Sequence, residues 1–137
     1  MFALPFRCCN ETARRERAFG DGGVRVKLDP KEALALWRSV TLASMTRGQP
    51  DLTTRQMAVL MQVYLAEPPH TIRGLSALLK ISKPATTRAV DRLATLGYLR
   101  RKPDETDRRS ILIQRTVAGS VFLREFGDLA AKEAAGV

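Results

Sequence analysis

The sequence predicts a mainly α-helical fold that carries one small β-hairpin. Five stretches combine a helix-start signature with apolar residues at helical spacing. After Gly97 that period gives way to two extended stretches, "YLRRK" and "SILIQR", held apart by the charged run "PDETDRR". No internal repeat or low-complexity tract interrupts the order, which reads helix, helix, short helix, helix, hairpin, helix.

The first helix starts at "DPKE": Asp29 is the N-cap, Pro30 takes the first helical position and Glu32 returns the bond. Ala33, Leu36, Val40 and Ala43 form its apolar stripe, Leu34 and Trp37 widen it, and Gly48 and Pro50 end it. "LTTRQM" opens the second helix, with Thr53 as cap, Gln56 answering it and Leu52 placed to staple onto Met57. It runs through Leu60, Met61 and Tyr64 and stops before Pro68-Pro69. Thr71 caps a short third helix, in which Ile72, Leu75, Leu78 and Leu79 are expected to face inward. Only Lys80 and Ile81 then precede the next cap, Ser82. The helix "KPATTRAVDRLATL" puts Ala85, Ala89, Leu93 and Leu96 on one stripe. Lys83, Thr87 and Arg88, with Thr86 beside them, take the opposite face. Gly97 suits the left-handed turn that follows a helix. Thr116 caps the last helix, whose apolar stripe is Phe122, Phe126, Leu129 and Ala130.

Residues 1–28 read differently. Asn10 can cap a short helix over "ETARRERAF", "GDGG" breaks it, and "VRVKL" is extended. They are expected to form a basic extension, either disordered or a free arm. The domain proper is expected over residues 29–137, with helices 30–46 and 117–135 flanking its centre.

Composition narrows the function. A chain of 137 residues can bury a core of its own without staples. No apolar run approaches the ~20 residues of a membrane span. "MFALPFRCC" meets an arginine too early for a secretory segment, so a cytoplasmic protein is expected. Cys8 and Cys9 are the only cysteines; as neighbours they cannot staple a fold, and no second pair completes a zinc site. The single histidine, His70, precedes a helix cap without an evident acid, nucleophile or metal partner, and reads as a loop residue. "GDGG" lacks the Lys-Ser/Thr that a phosphate-cradling loop needs. Neither an enzyme nor a cofactor or metal site is expected.

The charge invites a polyanion. The net charge is +9 and it is local: residues 82–115 hold nine Lys/Arg against four Asp/Glu, and residues 1–28 hold six against three. Two helices joined by so tight a turn, the second apolar on one face and Thr/Lys/Arg on the other, fit a helix-turn-helix. The hairpin that follows at once completes the plan of a winged helix-turn-helix, and makes "PDETDRR" the tip of the wing. Double-stranded DNA is then the expected partner. Thr86, Thr87 and Arg88 are expected to read bases from helix 82–96, which begins at Ser82. Lys83, Arg92, Arg100, Arg101 and Lys102 are expected on phosphates. Arg108 or Arg109 is expected in a narrow minor groove, with Asp104 and Asp107 either holding the arginines or tying the loop to itself.

The run "LSALLKISKPATTRAVDRLATLGYLRRKPDETDRRSILIQRTVAG" resembles the winged-helix core of MarR-type transcriptional regulators. The similarity covers residues 52–119, and its most specific part is the wing, with Asp104, Asp107, Arg108 and Arg109 in the family's pattern. The resemblance implies that Ser82 to Arg92 is the recognition helix, that Arg108 or Arg109 enters the minor groove, and that Asp107 positions it. It departs from the family at Glu105 and Thr106, where an arginine usually stands, and at Arg115, usually a leucine. It also implies a homodimer, expected here from helices 30–46 and 117–135, since the chain ends at Val137 after about one helix instead of two. The same region frames the small-molecule pocket in the family, so an effector is the least supported of the implied partners.

Three readings follow: a sequence-specific regulator, more simply a repressor; a winged-helix adaptor that binds protein; and an architectural protein that binds DNA without sequence preference. An adaptor would present apolar or aromatic anchors on the outer face of helix 82–96 and on the wing. The basic residues there favour nucleic acid.

Overall fold

A computed structural model describes residues 27–136. The helix expected after Asn10, the start of "VRVKL" and the Cys8-Cys9 pair lie outside the described residues. The elements are α1 (Pro30–Met45), α2 (Thr54–Leu65), α3 (Ile72–Leu79), α4 (Lys83–Thr95), β1 (Leu99–Pro103), β2 (Ile111–Arg115) and α5 (Val117–Ala135).

The caps expected from Asp29 onward are all in place. Asp29 and Glu32 close a capping box on α1, and Thr53 and Gln56 close one on α2. Thr71, Ser82 and Thr116 each accept one backbone N–H of the helix they begin. The stop after α4 is equally local. Gly97 takes a left-handed φ of 78°, its N–H donates to Ala94 O, and the Tyr98 N–H donates to Leu93 O at 2.9 Å. The stop after α3 uses Lys80 in the left-handed region, φ 52°, a conformation that costs a non-glycine residue about 1–2 kcal/mol. That turn lets α4 start after only three intervening residues, Lys80, Ile81 and Ser82, and so fixes the helix-turn-helix.

Helices α2, α3 and α4 pack on one another over Val59, Leu60, Val63, Leu75, Ala89, Val90 and Leu93. Tyr98, Leu99 and Ile113 from the hairpin and Phe122 from α5 complete the core. Each fully buried Leu or Val here contributes about 1.5–3 kcal/mol of transfer free energy. Inside this core Ser76 Oγ lies 2.9 Å from Thr86 Oγ1, a buried polar pair that joins α3 to α4.

The strands pair antiparallel in the register Leu99 with Arg115, Arg101 with Ile113 and Pro103 with Ile111. A two-stranded hairpin is marginal in water. This one has a third attachment: the Ile113 N–H donates to His70 O at 2.8 Å, and Thr71 bridges to Leu112. His70 is therefore buried in the wing root rather than lying in an open loop, and its Nε2 has no hydrogen-bond partner among the described residues.

Helix α5 leaves the hairpin through a joint built on Tyr64. The Tyr64 hydroxyl accepts from Thr116 N–H at 2.8 Å and lies 2.8 Å from Tyr98 O and 2.9 Å from Thr116 O. Gly119 is buried against it, and a Cβ built there would run into the Tyr64 hydroxyl and the Tyr98 carbonyl. Arg115 closes the end of α2: its Nε donates to Val63 O and its Nη2 to Ala66 O, with the guanidinium over the Tyr64 ring. The unpaired carbonyls of a helix end explain why an arginine serves at this position. Helix α1 packs along α5 and is held by Ser39 to Glu133 and by Arg47 to Glu125.

Two side-chain expectations are overturned. Leu78 is 39 % exposed, because α3 has only eight residues and turns that edge away from α2 and α4. Leu34 and Trp37 do not widen a buried stripe but are 70 % and 68 % exposed; within α1 only Val40 is buried. The reason is that α1 has α5 as its main neighbour, and no described element covers its other side.

Candidate nucleic-acid interface

The outward face of α4 follows from its buried one. Thr86, Ala89, Val90 and Leu93 are buried at i, i+3, i+4 and i+7, so the helix turns Lys83, Arg88, Asp91, Arg92 and Thr95 to solvent, with Thr87 half-buried. Ser82 holds the helix N-terminus by accepting the Ala85 N–H at 3.3 Å. The first turn contains no acidic residue and begins with Lys83, so the positive end of the helix is uncompensated.

Thr86 does not belong to this surface. It is 0 % exposed, its hydroxyl donates to Ser82 O at 3.1 Å, and it meets Ser76 Oγ at 2.9 Å. A base cannot reach it, and the expectation that it reads one is corrected. The spacing contained the signal, because Thr86 falls on the Ala89, Val90 and Leu93 stripe; the hydroxyl concealed it.

The wing carries the remaining basic residues. On β1, Arg100 donates to Gln114 Oε1 across the hairpin at 2.8 Å, and Lys102 stands 3.8 Å from Glu105. Arg101 Nη2 lies 2.6 Å from Asp91 Oδ1, which sets β1 beside the outward face of α4. This contact was not legible in the sequence, because it joins residues whose proximity depends on how the hairpin folds back.

At the tip the acidic residues tie the loop to itself. Asp104 Oδ1 accepts from Thr106 N–H and Thr106 Oγ1 at 2.9 and 2.8 Å. The first of these bonds, and then the second, hold the Asp104 carboxyl below its ordinary value. Asp107 accepts from the Arg109 N–H at 3.0 Å and from Ser110 Oγ at 2.9 Å. Asp107 thus shapes the backbone beneath the arginines and does not grip a guanidinium. The Arg108 and Arg109 side chains are exposed, and no described residue pairs with either guanidinium.

Elsewhere, a cleft of 170 Å³ lies between the α1–α2 loop and α5, lined by Met45, Arg47, Leu52, Met57, Phe122 and Phe126 among others. Among the described residues no helix is long and apolar enough to cross a membrane.

Comparison with known proteins agrees with this architecture. Residues 51–110 match the model of the MarR family. The multiple antibiotic resistance protein MarR of Escherichia coli is 28% identical over 83 residues, covering 61% of this chain and 57% of that protein. The chain thus spans little more than half the length of this curated relative. A crystal structure of a mutant Escherichia coli MarR complexed with operator DNA superposes with a TM-score of 0.59 at 25% identity, over 77% of this chain and 69% of that one. A MarR transcriptional regulator from Methanosarcina mazei superposes with a TM-score of 0.57 at 29% identity, over 75% and 74%. Family members are transcriptional regulators and not enzymes. Caps, core, wing and relatives thus agree: residues 54–115 form a winged helix-turn-helix, and residues 51–110 match the MarR family of transcriptional regulators.

Proposed function

We propose that this chain is a sequence-specific DNA-binding transcriptional regulator that acts as a homodimeric repressor. The observation that carries the reading is the joint surface of α4 and the wing: Lys83, Arg88 and Arg92 face solvent with Thr87 half-buried between them, β1 lies alongside, and two arginines with no described partner crown the tip. A surface of that shape fits a duplex, with Thr87 and Arg88 on base edges of the major groove and Lys83 and Arg92 on phosphates. Arg108 or Arg109 takes the minor groove. The Escherichia coli relative is solved in complex with operator DNA, which supports DNA as the partner. Occupying an operator through both grooves excludes other proteins from it, which is the simplest form of repression.

Leu34, Trp37 and Met45 lie on one side of α1 by helical spacing and are all exposed, and this apolar face supports self-association through the flanking helices. A two-fold dimer then requires two half-sites about one helical turn apart. A monomer in sedimentation at micromolar concentration would remove that part of the reading. The cleft beside α5 falls short of the ~300 Å³ at which ligand pockets begin, and the reading assigns no effector to it.

The test is recovery of genomic DNA fragments on the purified protein at low and moderate salt, followed by footprinting. A few palindromic sites that survive added salt are expected. Uniform recovery that disappears with salt would favour an architectural protein, and no recovery at all would favour an adaptor.

A further inference from the structure

Helix α4 carries one acidic residue, Asp91, and it sits in the middle of the outward face. Thr87 and Arg88 lie one turn before it and Thr95 one turn after. A carboxylate at this place opposes phosphates, so a surface made for a duplex has reason to exclude it. Here it has a counter-ion of its own. Arg101 Nη2 stands 2.6 Å away, and both side chains are partly exposed. The strand beneath Arg101 is not free to wander. Arg101 pairs in register with Ile113, whose side chain is buried and whose N–H is bonded to His70 O. The ion pair therefore joins two elements that are each anchored separately: α4 in the core and the hairpin at its root.

We infer that Asp91 is a positioning residue for DNA recognition, locking the wing to α4 through Arg101 so that the helix and the wing-tip arginines meet DNA as one preset surface. The inference rests on the DNA-binding reading above. An exposed ion pair adds little to global stability, and stability is not its use here. Its use is preorganisation: a hairpin already set at its working angle to α4 loses less freedom on binding than one that must be ordered by the DNA. The pair also cancels the charge of Asp91 and takes Arg101 out of the set of phosphate contacts, to which the sequence alone assigned it.

The two roles open to Asp91 predict opposite signs. If it is an incidental surface acid, Asp91→Asn removes a negative charge facing DNA and tightens binding to every duplex. If it positions the wing, operator affinity falls by about tenfold, or about 1.4 kcal/mol, while affinity for unrelated DNA stays level or rises. Arg101→Gln is expected to lose about as much, and the double variant to lose little more than either alone, because the two residues act as a unit. The slope of log affinity against log salt is expected to stay unchanged in Arg101→Gln, where a lost phosphate contact would lower it by about 0.9. Thermal melts of all three variants check that the fold is intact. Full-chain protein and footprinted operator duplex are the reagents. Wild-type protein that binds no DNA would overturn the DNA-binding reading itself. Wild-type protein that binds, with Asp91→Asn binding equally or more tightly, would overturn the positioning role alone.

Discussion

Replacing Thr86 with valine separates a helix-joining residue from a base-reading one. The substitution keeps the shape of the side chain and removes its hydroxyl. Two hydrogen bonds are lost, one to Ser82 O at 3.1 Å and one with Ser76 Oγ at 2.9 Å. Neither partner is orphaned, because Ser82 O keeps the Thr86 N–H at 3.0 Å and Ser76 Oγ keeps Ile72 O at 2.8 Å. The bond to Ser82 O has a net worth of about 0.5–1.5 kcal/mol and the contact with Ser76 Oγ less, because Ile72 O shares its one proton, so with no orphan penalty the expected loss is about 1–2 kcal/mol. That corresponds to a fall in Tm of roughly 4–8 °C for a chain of this size. Measured by urea unfolding at one fixed protein concentration, Thr86→Val should move the midpoint and leave the slope alone. Operator affinity of the folded fraction should stay within about threefold, far from the ~1–3 kcal/mol that a lost base contact costs. Thr87→Val is the control and should behave oppositely, changing affinity and leaving stability within about 0.5 kcal/mol. Unchanged unfolding of Thr86→Val together with lost operator binding would refute the assignment of Thr86 to the core.

Gly119→Ala should be among the most damaging single substitutions, costing more than about 3 kcal/mol, because the new methyl would displace the Tyr64 hydroxyl or the Tyr98 backbone; a melt within 2 °C of wild type, on the order of 0.5 kcal/mol, would contradict the close packing at that joint. Arg108→Ala should leave the melt unchanged, since its guanidinium has no described partner, and weaken operator binding by about 1–3 kcal/mol; equal affinity would assign the groove contact to Arg109 or remove the wing from the mechanism. Order at the wing tip should depend on acid in one direction only. The Asp104 pKa is lowered in the folded state, so its contribution is complete above the unfolded value of about 3.9 and disappears as pH falls through the lowered one. An NMR titration of the Asp104 carboxyl and the Thr106 amide checks this, and a midpoint at or above the unfolded value would show that the Asp104–Thr106 bonds do not form in solution.

The parts of this molecule that the sequence made legible are those in which a residue acts on its near neighbours. Asp29 with Glu32, Thr53 with Gln56, and Thr71, Ser82 and Thr116 as caps involve atoms at most three residues apart, and each is where its spacing placed it. The same holds for Gly97, whose left-handed φ ends α4, and for the change of period that announced the hairpin.

Misplacement arose where burial depends on a distant partner. The hydroxyl of Thr86 was weighed above its position on the Ala89–Val90–Leu93 stripe, although Ser76 awaits it inside the core. Leu78 and Trp37 carry apolar side chains on faces that no described element covers.

By itself the sequence determined the order of elements, their ends, the family resemblance and the basic character of the α4–wing surface, because caps, periods and charges are written along the chain. The tertiary structure alone decided that His70 and Thr71 anchor the wing, that Arg115 closes α2, that Asp107 shapes the loop rather than holding an arginine, and that Asp91 takes Arg101. Most of these contacts join residues 10 to 52 positions apart, and the distance between such residues is set by the packing of whole elements.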